Sequence, residues 1–270
     1  MRSNSSSATA HSNVYRLANR REPSPILSED AAHHREKLHD RFGTEAIYEA
    51  TLHRYLQDRP KREIQFFVNS RRFDLMRSVI GERLQQRPLR VLNAACGPFA
   101  LEFYAGLQGA TIDAFDIDEQ LSELHKVLTI RQLITPCSFQ IIDVAAYEPR
   151  DQYDVVLVND LFYSKHVDFF GVIDKFANAV APGGTLYFDI QDERAGPVWR
   201  LLGKGKATRR YNLARVRHKL EARGFTIDAI EPALGIKGAG IDSAARRVLW
   251  SCFGIANNVA FAATRTSPAA

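Results

Sequence analysis

The chain has 270 residues, of which 45% are hydrophobic and 25% charged, and its formal net charge is +5. This length supports one sizeable core with an accessory segment rather than several domains. The apolar runs are far too short to span a bilayer, and residues 1–21 lack the apolar stretch of a secretory signal. We therefore expect no membrane partner, and the small charge excess does not by itself indicate a nucleic-acid partner.

The cysteines exclude two further classes of protein. Cys96, Cys137 and Cys252 are too few and too irregularly spaced for a disulfide framework. They also lack the spacing of a structural zinc site, so no metal is expected. A reducing, cytoplasmic setting fits this composition.

The beginning of the chain carries no strand pattern. Residues 1–28 are rich in Ser, Asn, Arg and Pro, which predicts a disordered tail, with an organelle transit peptide as the alternative. The hydrophobic spacing in residues 29–86 predicts helices, including one from about Thr44 to Leu56 and one that begins at Pro60. We expect this segment to act as a lid or pocket wall for a domain formed by residues 87–270.

From residue 89 onward, short apolar segments alternate with helical patterns. Pro98 is expected in the first turn of a helix, and Ala181-Pro182-Gly183-Gly184 is expected to form the turn before the fifth strand. The pattern predicts a doubly wound, mostly parallel α/β sheet with helices on both faces. The predicted strands are residues 89–95, 111–115, 138–142, 153–158, 185–190, 225–230 and 258–263.

In a doubly wound sheet, ligands bind at the carboxyl ends of the strands, where the strand order reverses. The first strand ends in Asn93-Ala94-Ala95-Cys96-Gly97, whose small residues let a ligand approach the backbone closely. The second strand ends at Asp116, whose carboxylate can accept hydrogen bonds from both hydroxyls of a ribose, and Ile117 can lie against a flat base. The dinucleotide pattern G-x-G-x-x-G is absent.

The next two strand ends are also polar. Asp143 and Val144 follow the third strand, and the Asp143 carboxylate can accept a hydrogen bond from an exocyclic amine such as that of adenine. Asn159 and Asp160 follow the fourth strand, beside the expected position of the ligand's reacting end.

Two side chains near the fourth strand are candidate general bases. Tyr163 and His166 lie on the loop that should face the acceptor, although His166 can equally cap the next helix.

Cys96 is expected to be a packed residue rather than a nucleophile. The basic stretch from Lys204 to Lys219 is interpreted as solvated surface. Candidate walls of the acceptor pocket, which can also be plain core, are Trp199, Tyr211, residues 235–255, Tyr48, His53, Tyr55 and Phe67.

Taken in order, these motifs resemble the class I, Rossmann-like S-adenosylmethionine-dependent methyltransferases, over about residues 88–264. The family's first motif, often D-x-G-C-G-P-G, stands here as Asn93-Ala94-Ala95-Cys96-Gly97-Pro98-Phe99. The segments Tyr153–Asp160 and Ala181–Leu186 look like later motifs of the family. Asn93 replaces the motif's acid, while Ala95 and Phe99 replace two glycines, and Phe99 is expected to lie where a helix has already begun.

The resemblance implies S-adenosylmethionine as cofactor and methyl transfer to O, N or C of a small-molecule acceptor, with specialised metabolism as a setting. It places the methionine end along Asn93, Ala94, Ala95 and Gly97, the ribose on Asp116, and the adenine near Ile117, Asp143 and Val144. Asn159 and Asp160 are then expected to contact the cofactor or the acceptor. The oligomeric state stays open, with a homodimer among the alternatives.

Three other functions are left as alternatives. The altered glycine loop is compatible with a non-catalytic scaffold of the same fold that binds the cofactor. A nicotinamide-dependent oxidoreductase uses a similar sheet, but the missing G-x-G-x-x-G argues against it. A nucleic-acid methyltransferase is suggested by the positive charge, but the sequence contains no Asn-Pro-Pro-Tyr-type end to the fourth strand and no recognisable RNA-binding module.

Overall fold

A computed structural model describes residues 42–56, 76, 78, 80, 88–104, 110–201, 208–233 and 241–266. The chain divides into two compact units, Met1–Tyr48 and Glu49–Ala270. Of the first unit, the described part is residues 42–48, which belong to the beginning of helix α1. The predicted tail at residues 1–28, and all of residues 29–86 apart from α1, Leu56 and three helical positions at 76, 78 and 80, lie outside the described residues.

Strands and helices alternate along the second unit, as the hydrophobic pattern predicts. The strands are β1 (Arg90–Ala94), β2 (Thr111–Asp116), β3 (Cys137–Ile141), β4 (Tyr153–Val158), β5 (Val180–Gln191), β6 (Phe225–Pro232) and β7 (Asn258–Arg265). The helices are α1 (Phe42–Tyr55), α2 (Ala100–Tyr104), α3 (Gln120–Ile130), α4 (Phe169–Ala179), α5 (Gly196–Leu201), α6 (Leu213–Glu221) and α7 (Ile241–Phe253), with a 3-10 turn at Glu193–Ala195.

The strands form one seven-stranded sheet in the order β3-β2-β1-β4-β5-β7-β6. Strands β1 to β5 pair in parallel, and β7 runs antiparallel to both β5 and β6. From β1 the chain moves outward to β2 and β3 and then returns to β4 on the other side. This reversal leaves a crevice at the carboxyl ends of β1 and β4, which is where a doubly wound sheet binds its ligand.

The core lies on both faces of the central strands. All six residues of β4 are buried, which explains its uninterrupted apolar sequence. Helix α4 buries Phe169 and Phe176 against the sheet, and Phe188 of β5 stacks on Phe261 of β7 with ring centroids 5.1 Å apart. Each such fully buried aromatic side chain stabilises the fold by about 1.5–3 kcal/mol relative to an exposed one.

The seven predicted strands and the mostly parallel sheet are confirmed, but several local predictions are wrong. Ala181-Pro182-Gly183-Gly184 is not a turn before β5, because β5 already begins at Val180 and pairs with Tyr153. A register shift between Tyr153 and Val155 absorbs these extra residues, and Gly183 takes a positive φ of 73° there. Helices α5 and α7 were not predicted from the sequence at all.

The start of α2 also differs from the prediction. The helix begins at Ala100, so Pro98 lies in the preceding turn. Phe99 has a φ of 62°, which is left-handed and therefore not helical. Its side chain is buried, with ring centroids 5.1 Å from His125 and 5.0 Å from Phe139. This packing holds a backbone conformation that glycine adopts more readily.

Candidate functional site

A cavity of about 860 Å³ opens at the carboxyl ends of β1, β2 and β4. Its size lies within the usual range for small-molecule sites. Asn93, Ala94 and Tyr163 are not among the residues that line it. The predicted site residues that do line it are Ala95, Gly97, Asp116, Ile117, Asp143, Val144, Asn159, Asp160 and His166.

Asp116 joins the ends of β1 and β2. Its Oδ2 accepts a hydrogen bond of 2.9 Å from the backbone N–H of Gly97, and its Oδ1 accepts one of 3.0 Å from Asp118. Because each carboxylate oxygen can accept more than one hydrogen bond, both keep capacity for donors in the cavity. Asp116 therefore orders the loop after β1 and still presents an acceptor pair to a ligand.

The loop after β1 turns sharply under the cavity. Ala95, Gly97 and Phe99 have φ values of 54°, 58° and 62°, all in the left-handed region. A side chain added at Gly97 would project into open space, so this glycine leaves its backbone exposed to a ligand. For the two non-glycine residues this conformation costs about 1–2 kcal/mol each. The loop therefore has a strained backbone, which the packing of Phe99 against His125 and Phe139 stabilises.

The wall beyond β2 combines apolar and acidic groups. Ile117 is 64% exposed although it is a large aliphatic side chain, so it offers the cavity an uncovered apolar surface. Asp143 accepts a 2.7 Å hydrogen bond from the Ala145 N–H through Oδ1. Lys175 of α4 donates to the carbonyl oxygens of Ala145 and Tyr147, both at 2.8 Å. Lys175 was missed from the sequence because a lysine in a helix does not reveal which loop its amine reaches.

Directly after β4 lies a buried side-chain amide whose oxygen has no hydrogen-bond partner among the described residues. The Oδ1 of Asn159 is buried at the cavity wall, and no described residue donates a hydrogen bond to it. Leaving such an oxygen unsatisfied costs about 1–3 kcal/mol, which makes it a marker for a missing donor. An N–H donor of a bound ligand would satisfy it.

Asn93, which the sequence predicts to contact the ligand, is not among the residues that line the cavity. Its Nδ2 donates a 2.8 Å hydrogen bond to Oε1 of Glu102 on α2, below the cavity. Burial raises the pKa of Glu102 to about 7, while the hydrogen bond from Asn93 opposes that rise. Ala94 is likewise wholly buried in the core, so the cavity side of the loop begins at Ala95.

Tyr163 belongs to a hydrogen-bonded network behind the cavity. Its hydroxyl donates to Oδ2 of buried Asp189 at 2.6 Å and accepts from Nδ2 of Asn258 at 2.8 Å. The backbone N–H of Asp160, whose φ is 56°, donates to Oδ1 of the same aspartate at 2.8 Å. Asp189 and Asn258 were missed from the sequence because both belong to strands, β5 and the first position of β7, where a polar residue gives no sign of its partners.

Comparison with protein families matches residues 52–230 to a family described as a methyltransferase domain. This chain belongs to that methyltransferase-domain family. The match covers the strands that build the large cavity, from β1 through β5. No curated protein matches the sequence at a significant level.

Solved structures share the fold of this methyltransferase at low identity. Magnesium protoporphyrin IX methyltransferase from Synechocystis PCC 6803, with bound S-adenosylhomocysteine, is 18% identical at a TM-score of 0.54, covering 72% of this chain and 81% of that one. An S-adenosylmethionine-dependent methyltransferase from Methanosarcina mazei is 12% identical at 0.50, covering 68% and 95%. The cyclase SpnF is 17% identical at 0.51, covering 72% and 81%.

The structure also gives the positions of the other residues that the sequence singled out. His166 is exposed at the cavity, with its backbone N–H donating to Ser164 Oγ at 3.2 Å. Burial raises the pKa of the Cys96 thiol well above its ordinary value, which agrees with a packed, unreactive side chain. Tyr211 is also buried, with its hydroxyl donating to the Phe162 carbonyl. Lys204, Lys206 and Phe67 lie outside the described residues.

Within the described residues, no helix is long and apolar enough to cross a bilayer. Two members of the basic stretch make the surface contacts expected of a solvated helix face, Arg217 with Glu221 at 2.7 Å and Lys219 with Asp174 at 2.8 Å. Arg210 differs, because it is partly buried and donates to the Asp192 carbonyl at 3.0 Å.

Proposed function

We propose that this methyltransferase binds S-adenosylmethionine in the large cavity and transfers its methyl group to a small-molecule acceptor. The observation that carries the proposal is Asp116. Its carboxylate lines the cavity at the switch point of the sheet while both of its oxygens are held by backbone N–H groups. A fixed, correctly oriented acceptor pair is what recognition of a ribose diol needs.

The residues present match the chemical groups of this cofactor. Asp116 would hold the ribose, Ile117 and Val144 would flank the adenine, and Asp143 would accept from its amine. The loop from Ala95 to Gly97 would follow the methionine end, as supported by its exposed backbone. The unsatisfied Oδ1 of Asn159 would accept from the ammonium group, which removes the penalty of an orphaned buried oxygen.

When bound, the cofactor supplies an electrophilic methyl group on its sulfonium. The chain's own contribution is position and electrostatics. Asn159 and Asp160 would orient the reacting end, and His166 at the cavity would accept the proton that an O–H or N–H acceptor loses. Tyr163 is less suited to that role because its hydroxyl is held by Asp189 and Asn258 behind the cavity.

The setting of the reaction is part of the same proposal. The three cysteines are free, which supports a reducing, cytoplasmic compartment. The division into a lid or pocket-wall segment at residues 29–86 and a domain at residues 87–270 stays a prediction from the sequence. Acceptor choice would then lie in additions to a fixed scaffold, and the acceptor would be a small metabolite.

Calorimetric titration with S-adenosylmethionine tests the cofactor site. The unaltered protein should bind, and Asp116→Ala should weaken binding by about tenfold or more, or about 1.4 kcal/mol. Asp118→Ala is the matched control, because Asp118 lies in the same loop but does not line the cavity. Absence of binding to the unaltered protein would overturn the proposal.

A non-catalytic scaffold that only binds the cofactor is the second candidate. It is favoured by the left-handed Ala95 and Phe99, which replace glycines of the family motif and strain the loop. Binding of S-adenosylmethionine without release of S-adenosylhomocysteine, over a broad acceptor panel, would select this candidate over the enzyme.

A further inference from the structure

A second cavity of about 220 Å³ lies beside the segment that enters β7. It is bounded by α5, α7 and residues 255–258. Its volume would accommodate a single ring with a substituent rather than a cofactor. The residues that line it are Trp199, Arg246, Leu249, Ile255, Ala256, Asn257 and Asn258.

The lining combines a cation with a flat apolar surface. The guanidinium of Arg246 lies over the Trp199 ring, 5.4 Å from the ring centroid. Arg246 makes no hydrogen bond or ion pair with any residue that the structure describes, so its N–H donors are available to a ligand. Leu249 and Ile255 add aliphatic surface. A planar guanidinium beside an indole and aliphatic side chains suits a ligand that is itself planar and carries a carboxylate.

No carboxylate is among the described residues that line this cavity. The buried carboxylate of Asp192 is already paired with Arg194 at 2.8 Å. Arg210 donates to the Asp192 carbonyl at 3.0 Å and to Oδ1 of Asn257 at 2.9 Å. Burial lowers the pKa of Arg210, and the charge of Arg200 lowers it further against the opposing effect of Asp192. An anion would therefore relieve a local excess of cations.

Hydrogen bonds connect this cavity to the large one. Asn258 lines the second cavity and donates to Tyr163, which donates to Asp189, and Asp189 accepts from Asp160 of the large cavity. The bonds measure 2.8, 2.6 and 2.8 Å. The side chains of Tyr163 and Asp189 therefore lie between the lining residues of the two cavities, which share none of their described lining residues.

We propose that the second cavity binds a small planar carboxylate, with Arg246 as the anion receptor and Trp199 as part of the apolar wall. This inference is independent of the proposed function, because it rests on the lining of this cavity alone.

Calorimetry with benzoate and its neutral analogue benzamide tests the cavity. The unaltered protein should bind benzoate saturably in the millimolar range and bind benzamide about tenfold more weakly or worse. Arg246→Gln should weaken benzoate binding by about tenfold and leave benzamide binding unchanged. The matched control is Arg247→Gln, which removes a charge from the next position of the same helix but from a residue that does not line the cavity.

Three outcomes would overturn the inference: no saturable benzoate binding to the unaltered protein, equal binding of benzamide, or equal weakening by Arg247→Gln and Arg246→Gln. Titration of the same Arg246→Gln protein with S-adenosylmethionine should give unchanged affinity, which also shows that the variant is folded. If the unaltered protein binds benzoate but not S-adenosylmethionine, the proposed function fails while the anion site stands. The reverse result leaves the proposed function and removes the anion site.

Discussion

Replacing Glu102 by glutamine should make the protein more stable at alkaline pH. Glu102 is only 1% exposed, and its Oε2 has no hydrogen-bond partner among the described residues. Burial raises its pKa from 4.5 to about 7, opposed in part by the hydrogen bond from Asn93. Glutamine has nearly the same shape and accepts the same hydrogen bond, but it carries no charge at any pH.

The magnitude follows from the two pKa values. The folded carboxyl holds its proton more tightly than the unfolded one, so its contribution to stability is fully present below pH 4.5 and is lost as pH rises through about 7. A difference of roughly 2.5 in pKa, at about 1.4 kcal/mol for each unit, corresponds to about 3 kcal/mol. The free energy of unfolding of Glu102→Gln, relative to the unaltered protein, should therefore rise by about 3 kcal/mol between pH 4.5 and pH 8.

Urea unfolding of both proteins at several pH values between these limits measures the difference directly. Glu123→Gln is the matched control, because Glu123 is exposed on α3 and forms a surface ion pair with Lys126. This control should differ from the unaltered protein by less than about 1 kcal/mol at every pH. A constant difference between Glu102→Gln and the unaltered protein over this range would show that burial does not perturb this carboxyl.

Three further changes test the loop and the network around the large cavity. Tyr163→Phe should cost about 1–3 kcal/mol in urea unfolding, because buried Asp189 loses the hydrogen bond from the Tyr163 hydroxyl, and no loss of stability would refute this role of the network. Ala95→Gly should raise the free energy of unfolding by about 0.5 kcal/mol, because the strain removed at the left-handed position exceeds the entropic cost of glycine in the unfolded chain. A clear loss of stability would show that Ala95 is not strained. Lys175→Met should weaken S-adenosylmethionine binding by about threefold or more in calorimetry, because the carbonyls of Ala145 and Tyr147 lose their shared donor. Unchanged affinity would place Lys175 outside the site.

The sequence alone determined the architecture and several of the polar side chains that line the large cavity. Strand β4 is apolar throughout because both of its faces are buried, so its pattern indicates a central parallel strand. Asp116, Asp143 and Asn159 could be predicted because they follow strand ends, and a parallel sheet brings its carboxyl ends to one edge. Periodicity and chain order are sufficient for such inferences, since they depend on the local chain and on a topology with few alternatives.

Only the tertiary structure decided which way the side chains point and what they contact. Asn93 has the position of a ligand contact in the motif, yet its amide faces Glu102 below the loop. Phe99 cannot be recognised as left-handed from its neighbours, because distant packing against His125 and Phe139 holds it there. The second cavity joins Trp199 to Arg246, which are 47 positions apart by their numbers, on helices that were not predicted. Contacts of this kind depend on how helices pack against the sheet, and no local pattern in the sequence encodes that packing.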